Sequence, residues 1–401
     1  MNETKEVLSK NAVSSLLERG FSRRHLGRIA TLLTAGASLP FYNEFAMAQD
    51  EETPTRGGPA RGSRGAGIPY DPTMVRISSN ENPMGPHPAG LEALTKVAPL
   101  GWRYNPGPEM GNLAQTISKI EGVPVDHIWA TPGSSEPLHA ATCAFTSPTR
   151  SWTMASPGYG SRAPAFIGSK VIGVPLASDY SHDVEAMLKS QPNAGAYYIC
   201  NPNNPTATIT PREKIDWLLA NKPKDAVVVV DEAYIHFSAN AKMCSDLVAA
   251  GKDVVVLRTF SKIYGMAGLR AGFAMGRPDL LAKMRVYGSS GMTIVTGVAC
   301  ANASLLVTDL VPTRRKQMMD IREDTFSFLD KKGVKYLPSE GNFFMMSVKG
   351  MTGAQVGQAM SSHKVQLAGN RWPEWPQYIR VTVGTSEEMG KFKEALTKVV
   401  G

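Results

Sequence analysis

Two neighbouring segments of the chain end in residues that can carry out acid–base chemistry. The run Val227–Val230 leads directly to Asp231 and then to Tyr234, and a second apolar run leads to Lys262. A buried carboxylate is costly unless a cationic partner compensates it. A lysine amine becomes a base or nucleophile near neutral pH only where its surroundings lower its pKa. One run therefore supplies an acid and a phenol, and the next supplies an amine.

Two further segments add a rigid polar turn and a possible anion cradle. Asn201–Thr206 reads NPNNPT, and such a turn places amide side chains rather than continuing a strand. Ile128–Thr131 leads through Gly133, Ser134 and Ser135 into a helical pattern, and a helix N-terminus suits a phosphate. Each segment alone is usually structural. A phosphate cradle, an amide, a buried acid with a phenol, and a lysine together match the needs of pyridoxal phosphate.

These polar residues follow short apolar runs that are typical of buried strands. Seven runs occur after Asp126, at Ile128–Thr131, Ser151–Ala155, Lys170–Pro175, Gly195–Cys200, Ala226–Val230, Asp253–Arg258 and Ala271–Met275. Several are continuous, as in parallel strands that helices cover on both faces. Thr210, Pro211 and Glu213 predict a capped helix between two of them. Because ligands bind at the carboxyl ends of such strands, we predict an α/β fold whose mostly parallel, seven-stranded sheet carries the site.

The rest of the chain predicts a second, smaller domain. After Gly297 the pattern changes to a long helical stretch, followed by alternating strand and helix patterns, and a capping box at Thr385 and Glu388 opens the last helix. We expect this smaller domain to be α+β. The expected boundaries are 70–100 for an N-terminal arm that contributes to the smaller domain, 101–296 for the large domain and 297–401 for the C-terminal domain.

Short motifs carry a resemblance to one enzyme family. The motifs are Ser79–Pro86, Arg103–Pro106, Gly133–Glu136, Asn201–Thr206, Asp231–Tyr234, Thr259–Arg270 and Tyr378–Thr385. The chain resembles the fold-type I aminotransferases of the class I/II superfamily, and within it the histidinol-phosphate aminotransferases. The similarity runs from Arg76 to the C-terminus, and the segment with Lys262 and Arg270 is its most specific part.

The resemblance implies a role for each residue around the cofactor ring. Lys262 would hold pyridoxal phosphate as a Schiff base and, once substrate displaces it, move a proton between the substrate α-carbon and the cofactor C4′ carbon. Asp231 would keep the pyridine nitrogen protonated, so that the ring acts as an electron sink. Asn204 and Tyr234 would hydrogen-bond the phenolic oxygen, and Tyr159 would stack on the ring.

The resemblance also implies how the cofactor phosphate is held. The backbone of Ser134 and Ser135, the hydroxyls of Thr259 and Ser261, and the planar guanidinium of Arg270 would surround it.

A tyrosine in an RYP-like motif crosses from the partner subunit to this phosphate in the family, and Tyr104 matches it. The resemblance therefore implies a homodimer with shared active sites. Asn105 stands where the family has proline, and Pro106 comes next, so the proline of this motif is displaced by one position.

Substrate binding is expected at Asn82, Arg371 and Arg380. Arg380 matches the arginine that binds the substrate's anionic group in this superfamily, and a surface cation on an edge strand is the alternative. Arg371 could bind a substrate phosphate, as in histidinol-phosphate enzymes. Two tryptophans and a glutamate in residues 372–375 could equally frame an aromatic or other amino acid.

We therefore predict a transaminase that moves an amino group between an amino acid, or a histidinol-phosphate-like amine, and a 2-oxo acid of the 2-oxoglutarate type. A pyridoxal-phosphate lyase or decarboxylase on the same scaffold is one alternative. Arg380 favours transamination, because gripping the carboxylate opposes its loss. A non-catalytic binding protein is the other alternative, but pure binding needs no displaceable Lys262.

The N-terminal segment has the order of an export signal. Phe21–Arg28 contains two adjacent arginines, Ile29–Leu39 is mildly apolar, and Ala46–Ala48 offers a cleavage site. We predict a twin-arginine signal peptide over 1–48, a disordered linker over 49–69 and a periplasmic or otherwise exported enzyme. An amphipathic helix is the alternative. The apolar stretch is too short for a stable membrane anchor, and export argues against assuming the substrate of histidine synthesis.

Composition excludes several other classes. With 401 residues, of which 42% are hydrophobic, the chain can bury a core large enough for two domains. The net charge is +8, but no run of basic residues forms a nucleic-acid-binding arm. The four cysteines, Cys143, Cys200, Cys244 and Cys300, show neither a CxxC motif nor histidines at ligand spacing. We therefore expect no nucleic acid and no metal as a ligand.

Overall fold

The computed structural model of the protein describes residues 71–108, 111–160, 163–289, 293–369 and 371–401, with a few isolated positions before residue 24. Apart from those positions, the predicted signal peptide over 1–48 and the linker over 49–69 lie outside the described residues.

The described strands and helices alternate through most of the chain. The strands are β1 (Val75–Arg76), β2 (Ile128–Thr131), β3 (Trp152–Ser156), β4 (Val171–Pro175), β5 (Ala196–Cys200), β6 (Val227–Asp231), β7 (Val254–Thr259), β8 (Gly272–Gly276), β9 (Lys335–Tyr336), β10 (Phe343–Ser347), β11 (Val365–Gln366) and β12 (Ile379–Thr382). The helices are α1 (Pro88–Val97), α2 (Leu113–Glu121), α3 (Ser135–Phe145), α4 (Ala163–Ile167), α5 (Val184–Ser190), α6 (Arg212–Asn221), α7 (Ser245–Ala249), α8 (Pro278–Arg285), α9 (Val295–Leu305), α10 (Leu310–Lys332), α11 (Gly353–Ser362) and α12 (Ser386–Val400).

The predicted seven-stranded sheet is confirmed. Its strand order is β2-β8-β7-β6-β5-β3-β4. Strands β3 to β7 pair in parallel, and β8 runs antiparallel to both β7 and β2. Every residue of β5, β6, β7 and β8 is buried, which explains why these segments are continuous apolar runs without alternation.

The register of this sheet sets the position of the polar residues. Cys200 pairs with Asp231 and Asp231 pairs with Leu257, so β5, β6 and β7 end at one edge. Because β8 is antiparallel, its first residue, Gly272, lies beside both Thr131 and Thr259. The segment before β8 therefore starts where β2 and β7 end.

The described residues form two compact units. The first unit contains residues 82–319 and 338–342, and the second contains residues 71–81, 320–337 and 343–401. These divisions differ from the boundaries expected from the sequence, because α1, α9 and the first part of α10 belong to the first unit. A helical pattern predicts a helix but does not identify the surface on which the helix packs.

The packing of α1 on α9 explains why both helices belong to the first unit. A Cβ atom at Gly90 in α1 would lie 2.6 Å from the Ser304 hydroxyl and 2.8 Å from the Cys300 sulfur in α9. The glycine therefore allows the two helices to approach closely. No single helix among the described residues is long and apolar enough to cross a membrane; α9 and α10 reach that threshold only together, and an 88° bend separates them.

The second unit is built on two small sheets. One has the strand order β12-β10-β9 with antiparallel pairing, and the other pairs β1 with β11 in parallel. Its core contains Phe326, whose ring stacks on Tyr336 at 4.2 Å between centroids. The predicted capping box at Thr385 and Glu388 is present at the start of α12.

The start of α6 differs from the sequence prediction. The helix begins at Arg212 and no side chain caps it. The hydroxyl of Thr210, which was expected to cap the helix, instead accepts a hydrogen bond from the backbone N–H of His182 at 3.1 Å. A tertiary donor has taken the oxygen that the local motif would use.

Candidate active site

Asp231 is held from two sides by neutral donors. It is the last residue of β6 and is 3% exposed. Its Oδ2 accepts a hydrogen bond from the Tyr198 hydroxyl at 2.9 Å, and its Oδ1 accepts one from the Ala233 N–H at 3.1 Å. Burial raises the pKa of Asp231 to about 6, while these hydrogen bonds and the charge of Lys262 oppose the increase. Each oxygen keeps a lone pair that can accept a further donor.

Tyr198 is a site residue that the sequence analysis missed. Its side chain is fully buried inside β5, and its ring lies 5.4 Å from the Trp152 ring. Burial and the neighbouring Asp231 raise the pKa of Tyr198 well above its usual value, so the phenol stays protonated and remains a donor. Polar residues that follow strands are recognisable from the sequence, whereas Tyr198 lies within a strand and looks like a core residue.

Glu232, the next residue after Asp231, has a different partner. It is completely buried, and its Oε2 accepts a hydrogen bond from the Arg258 Nε at 2.8 Å. Arg258 also pairs with Glu121, and the Cys244 N–H donates to Glu232 at 2.7 Å. Burial raises the pKa of Glu232 and Arg258 opposes the increase. This buried charge cluster joins the end of β6 to β7 and α2.

Lys262 lies in a loop after β7 that two side chains fix in place. Its Nζ is 5.4 Å from the centre of the Tyr234 ring. The carbonyl oxygen of the next residue, Ile263, accepts hydrogen bonds from Asn82 Nδ2 and from Arg314 Nη1, each at 3.0 Å. Asn82 was predicted to bind substrate, and in the structure its amide supports the lysine loop. Arg314 was not predicted.

A glycine is required where this loop passes close to another segment. Gly265 has a φ of +69°, and a Cβ atom there would lie 2.2 Å from the carbonyl oxygen of Gly85. Any side chain would therefore displace the loop that carries Lys262.

The residues that were predicted to bind a phosphate lie around the N-terminus of α3. Gly133 has a φ of +90°, and a Cβ atom there would lie 2.3 Å from Arg270 Nη2. Arg270 Nη1 donates to the Ser261 hydroxyl at 3.3 Å, and the Thr259 hydroxyl donates to the same oxygen at 2.9 Å. Ser134 precedes the first turn of α3, whose N–H groups are available to an anion. A glycine cradle, hydroxyls and a guanidinium fit a phosphate group.

Arg270 has an unusual backbone conformation and a partly buried charge. Arg270 itself adopts a left-handed backbone conformation with a φ of +48°, which a residue other than glycine adopts only at a cost. Burial lowers the pKa of Arg270, and the nearby Tyr159 opposes the decrease. Arginine remains protonated under these conditions. Tyr159 is half-buried and lies close enough to this charge to interact with it.

Asn204 lies in a turn that is braced by its own side chains. It is 2% exposed. The Asn201 amide donates to the Thr210 carbonyl at 3.2 Å and accepts from the Thr210 N–H at 2.9 Å, which closes the turn. Ala207 has a φ of +59° and donates its N–H to the Asn203 carbonyl at 2.7 Å. Its backbone is therefore in the left-handed region that favours glycine.

The segment of Tyr104 is exposed. The Tyr104 side chain is 89% exposed and that of Trp102 is 72% exposed. The Arg103 guanidinium lies 3.9 Å from the centre of the Trp102 ring. The structure therefore does not bring Tyr104 to the cradle residues of its own chain.

Arg380 belongs to the second unit and is buried there. It is 1% exposed, donates from Nη2 to the Ser78 carbonyl at 2.9 Å, and lies 5.4 Å from the ring centres of both Phe343 and Trp372. β12 is an edge strand, but all four of its residues are buried, so Arg380 is not the surface cation that the alternative required. Arg371, the other predicted substrate residue of this unit, is half-buried.

The described residues offer no group of three or more His, Cys, Asp or Glu side chains that could hold a metal ion. The arrangement in the first unit instead combines an amine, a carboxylate with spare acceptor capacity, a phenol and a phosphate cradle. These groups fit pyridoxal phosphate, whose pyridine nitrogen, carbonyl and phosphate need those partners.

The fold and this site define a pyridoxal-phosphate enzyme of fold type I. The chain belongs to the class I and II aminotransferases, because the model of that family matches residues 74–396. It is thus a pyridoxal-phosphate-dependent aminotransferase, as predicted from the sequence.

Individual relatives agree with this assignment. An aromatic amino acid aminotransferase of Cutibacterium acnes is 33% identical over 88% of this chain and 99% of its own length. Histidinol-phosphate aminotransferase 1 of Dechloromonas aromatica is 33% identical over 84% of this chain and 93% of its own. The crystal structure of histidinol-phosphate aminotransferase from Sinorhizobium meliloti in complex with pyridoxal-5′-phosphate is 25% identical, covers 82% of this chain and 91% of its own, and superimposes with a TM-score of 0.72.

Proposed function

We propose that this aminotransferase takes its amino group from a donor that carries an aromatic or imidazole ring and transfers it to a 2-oxo acid of the 2-oxoglutarate type. The observation that carries the proposal is the setting of Arg380, a buried guanidinium beside the rings of Phe343 and Trp372. A guanidinium binds a carboxylate with two parallel hydrogen bonds, and the Trp372 ring, which unlike Phe343 keeps some exposed surface, offers an aromatic face to a planar ring. The names of two relatives, an aromatic amino acid aminotransferase and a histidinol-phosphate aminotransferase, support the same class of donor.

The proposed roles of the ring-binding residues follow from their geometry and from the family resemblance. Bound pyridoxal phosphate supplies an electron sink for the electron pair that remains when the substrate α-proton leaves. Lys262 binds the cofactor covalently and, once released, moves that proton. Asp231 holds the proton on the pyridine nitrogen, and Asn204 and Tyr234 hydrogen-bond the phenolic oxygen. Tyr159 stacks on the ring.

The phosphate and substrate residues complete the proposal. The N–H groups at Ser134 and Ser135, together with Thr259, Ser261 and Arg270, bind the cofactor phosphate. In the second unit, Arg380 binds the carboxylate of the donor or acceptor and Arg371 binds the phosphate where the donor carries one.

The test is a half-reaction with single donors. The purified protein is loaded with pyridoxal phosphate, and the absorbance of the bound cofactor is followed after addition of phenylalanine, tyrosine, histidinol phosphate, aspartate or leucine. We expect a ring-bearing donor to convert the cofactor to its amine form at the highest rate. Faster conversion by aspartate or leucine than by every ring-bearing donor would overturn the proposal. A Lys262→Ala variant is expected to bind the cofactor without completing the conversion.

We further propose a homodimer in which Tyr104 reaches the cofactor phosphate of the partner subunit. The exposure of Tyr104 and Trp102 supports this, since two large aromatic side chains side by side are suited to an interface. Tyr104→Ala and Lys262→Ala proteins, each weakly active or inactive alone, are expected to regain activity when mixed and reassembled. An absence of complementation, with mixed dimers present by mass, would refute shared sites.

Export remains a proposal from the sequence. The support is the order of adjacent arginines, apolar stretch and small-residue cleavage motif within residues 21–48. The full chain, expressed in a bacterium, is expected in the periplasmic fraction in shortened form. After replacement of Arg23 and Arg24 by lysine, the full-length chain should remain uncleaved in the cytoplasm. If the wild-type chain and the double-lysine variant were distributed equally between periplasm and cytoplasm, export by the twin-arginine route would be contradicted.

A further inference from the structure

A buried phenol sits directly behind the carboxylate that is proposed to face the cofactor nitrogen. The Tyr198 hydroxyl donates to Asp231 Oδ2 at 2.9 Å, and both side chains are almost completely buried. The two residues lie on adjacent parallel strands, where Tyr198 pairs with Val229 and Cys200 pairs with Asp231. The contact is therefore fixed by the sheet register rather than by a loop.

We propose that Tyr198 is a positioning residue that keeps Asp231 ionised and aimed at the pyridine nitrogen of the cofactor. The inference rests on the proposed role of Asp231. A phenol hydroxyl can donate one hydrogen bond and carries no charge at neutral pH. It stabilises the carboxylate without neutralising it, and the full negative charge stays available to the pyridinium. A cationic partner in the same place would compete with the cofactor for that charge.

The other charged and titratable groups around this pair do not replace Tyr198. Glu232 raises the pKa of Asp231 and Lys262 lowers it. Cys200 and Tyr159 face the phenol of Tyr198 and further raise its pKa. Only a donor that touches the carboxylate can fix its direction, and the other donor in contact, the Ala233 N–H, binds the opposite oxygen.

The neighbouring tyrosine supplies a matched control. Tyr197 is also fully buried in β5, but its side chain points to the other face of the sheet and its hydroxyl donates to the Gln191 carbonyl at 2.6 Å. Tyr198→Phe and Tyr197→Phe each remove from the same strand one tyrosine hydroxyl that donates a hydrogen bond. They differ in whether the acceptor is Asp231.

The experiment measures pyridoxal-phosphate affinity of each full-length variant against pH by equilibrium dialysis. Affinity should fall as pH decreases through the pKa of Asp231, because the protonated carboxyl no longer attracts the pyridinium. In Tyr198→Phe the pKa of Asp231 rises, so this fall should occur at a pH about one unit higher, since a hydrogen bond to an ionised group is worth about one to two pKa units. Halfway between the two midpoints the variant should bind about threefold more weakly. Tyr197→Phe should keep the wild-type midpoint.

Two further variants test whether the effect of Tyr198 depends on the charge of Asp231 and on the hydroxyl as a donor. In an Asp231→Asn background, Tyr198→Phe should change the affinity by less than about twofold, because the titrating charge is gone. A 3-fluorotyrosine at position 198 keeps the hydroxyl and makes it a stronger donor, so it should move the midpoint to lower pH. This variant also tests the proposal if Tyr198→Phe does not fold.

The outcomes distinguish a failure of the proposed function from a failure of the proposed role of Tyr198. A wild-type protein that binds no pyridoxal phosphate overturns the proposed function itself. A wild-type protein that binds it, with equal midpoints for Tyr198→Phe and Tyr197→Phe or no response to the fluorinated residue, overturns the role of Tyr198 alone. An equal loss of affinity in the Asp231→Asn background also overturns it, because the effect would then be structural.

Discussion

The buried cluster of Arg258, Glu232 and Glu121 allows a stability prediction. Arg258 is 1% exposed and Glu232 is completely buried, so Arg258→Met leaves a buried carboxylate without its cation. Removal of one partner of a buried ion pair costs about 3–5 kcal/mol of unfolding free energy. The same change at Arg277, a guanidinium that is one-third exposed and pairs with Asp253, should cost no more than about 1 kcal/mol.

The size of this effect should depend on pH in a defined direction. Burial already raises the pKa of Glu232, and loss of Arg258 raises it further. An acid whose pKa is higher in the folded state than in the unfolded state destabilises the fold above its folded pKa and has no effect below its unfolded pKa of about 4.3. The penalty of Arg258→Met should therefore be largest at neutral pH and shrink as the pH decreases towards 5.

Urea unfolding of the holoenzyme, followed by circular dichroism at several pH values, measures this penalty. The double variant Arg258→Met, Glu232→Leu removes the more deeply buried of the two carboxylates that lose their cation, Glu232 rather than Glu121, and should recover at least half of the lost stability. Two results would refute the reasoning: a loss for Arg258→Met that lies within 1 kcal/mol of that for Arg277→Met at neutral pH, or a loss that grows as the pH decreases.

Three other changes test the site. Gly133→Ala places a methyl group against Arg270, so the dissociation constant for pyridoxal phosphate should rise about tenfold or more in equilibrium dialysis, and an unchanged constant would contradict the cradle. Arg380→Lys loses the two-point grip on a carboxylate and should raise KM for the 2-oxo acid about tenfold or more in steady-state assays, with little change in cofactor affinity. Asn82→Ala removes one of two donors to the Ile263 carbonyl, so it should lower the free energy of unfolding by about 1 kcal/mol and lower kcat more than it raises KM. A change in KM alone would instead support the substrate-binding role predicted from the sequence.

The sequence predicted the sheet and the residues that follow its strands because both depend on local patterns. Continuous apolar runs identify buried parallel strands, and the polar residues at the carboxyl end of each strand can be read from the local sequence. Asp231, Lys262 and the Gly133 turn could therefore be found without knowing the strand order. The close approach of Gly133 and Arg270 depends on β8 running antiparallel between β2 and β7, which no local pattern reports.

The missed residues all act through tertiary contacts. Tyr198 looks like a core residue because it lies inside a strand, and its contact with Asp231 depends on the register between β5 and β6. Arg314 lies in a long helix and reaches the lysine loop from a distance of 51 residues along the chain. Thr210 had a good local capping pattern, yet a donor from His182 uses its oxygen. In each case, a partner distant in sequence decides the role.

The two adjacent acids at the end of β6 show how one residue type serves both ligand binding and stability. Successive residues of a strand point to opposite faces, and Asp231 and Glu232 accordingly meet different partners. Glu232 meets the Arg258 guanidinium, which satisfies its charge within the protein. Asp231 meets a phenol and a backbone N–H, which orient its carboxylate and leave its charge uncompensated by these donors. A buried carboxylate with neutral donors is costly for an apoprotein, and under the proposed function a bound pyridinium would offset that cost. Asp231 would then supply charge to the cofactor, whereas Glu232 stabilises the fold through Arg258.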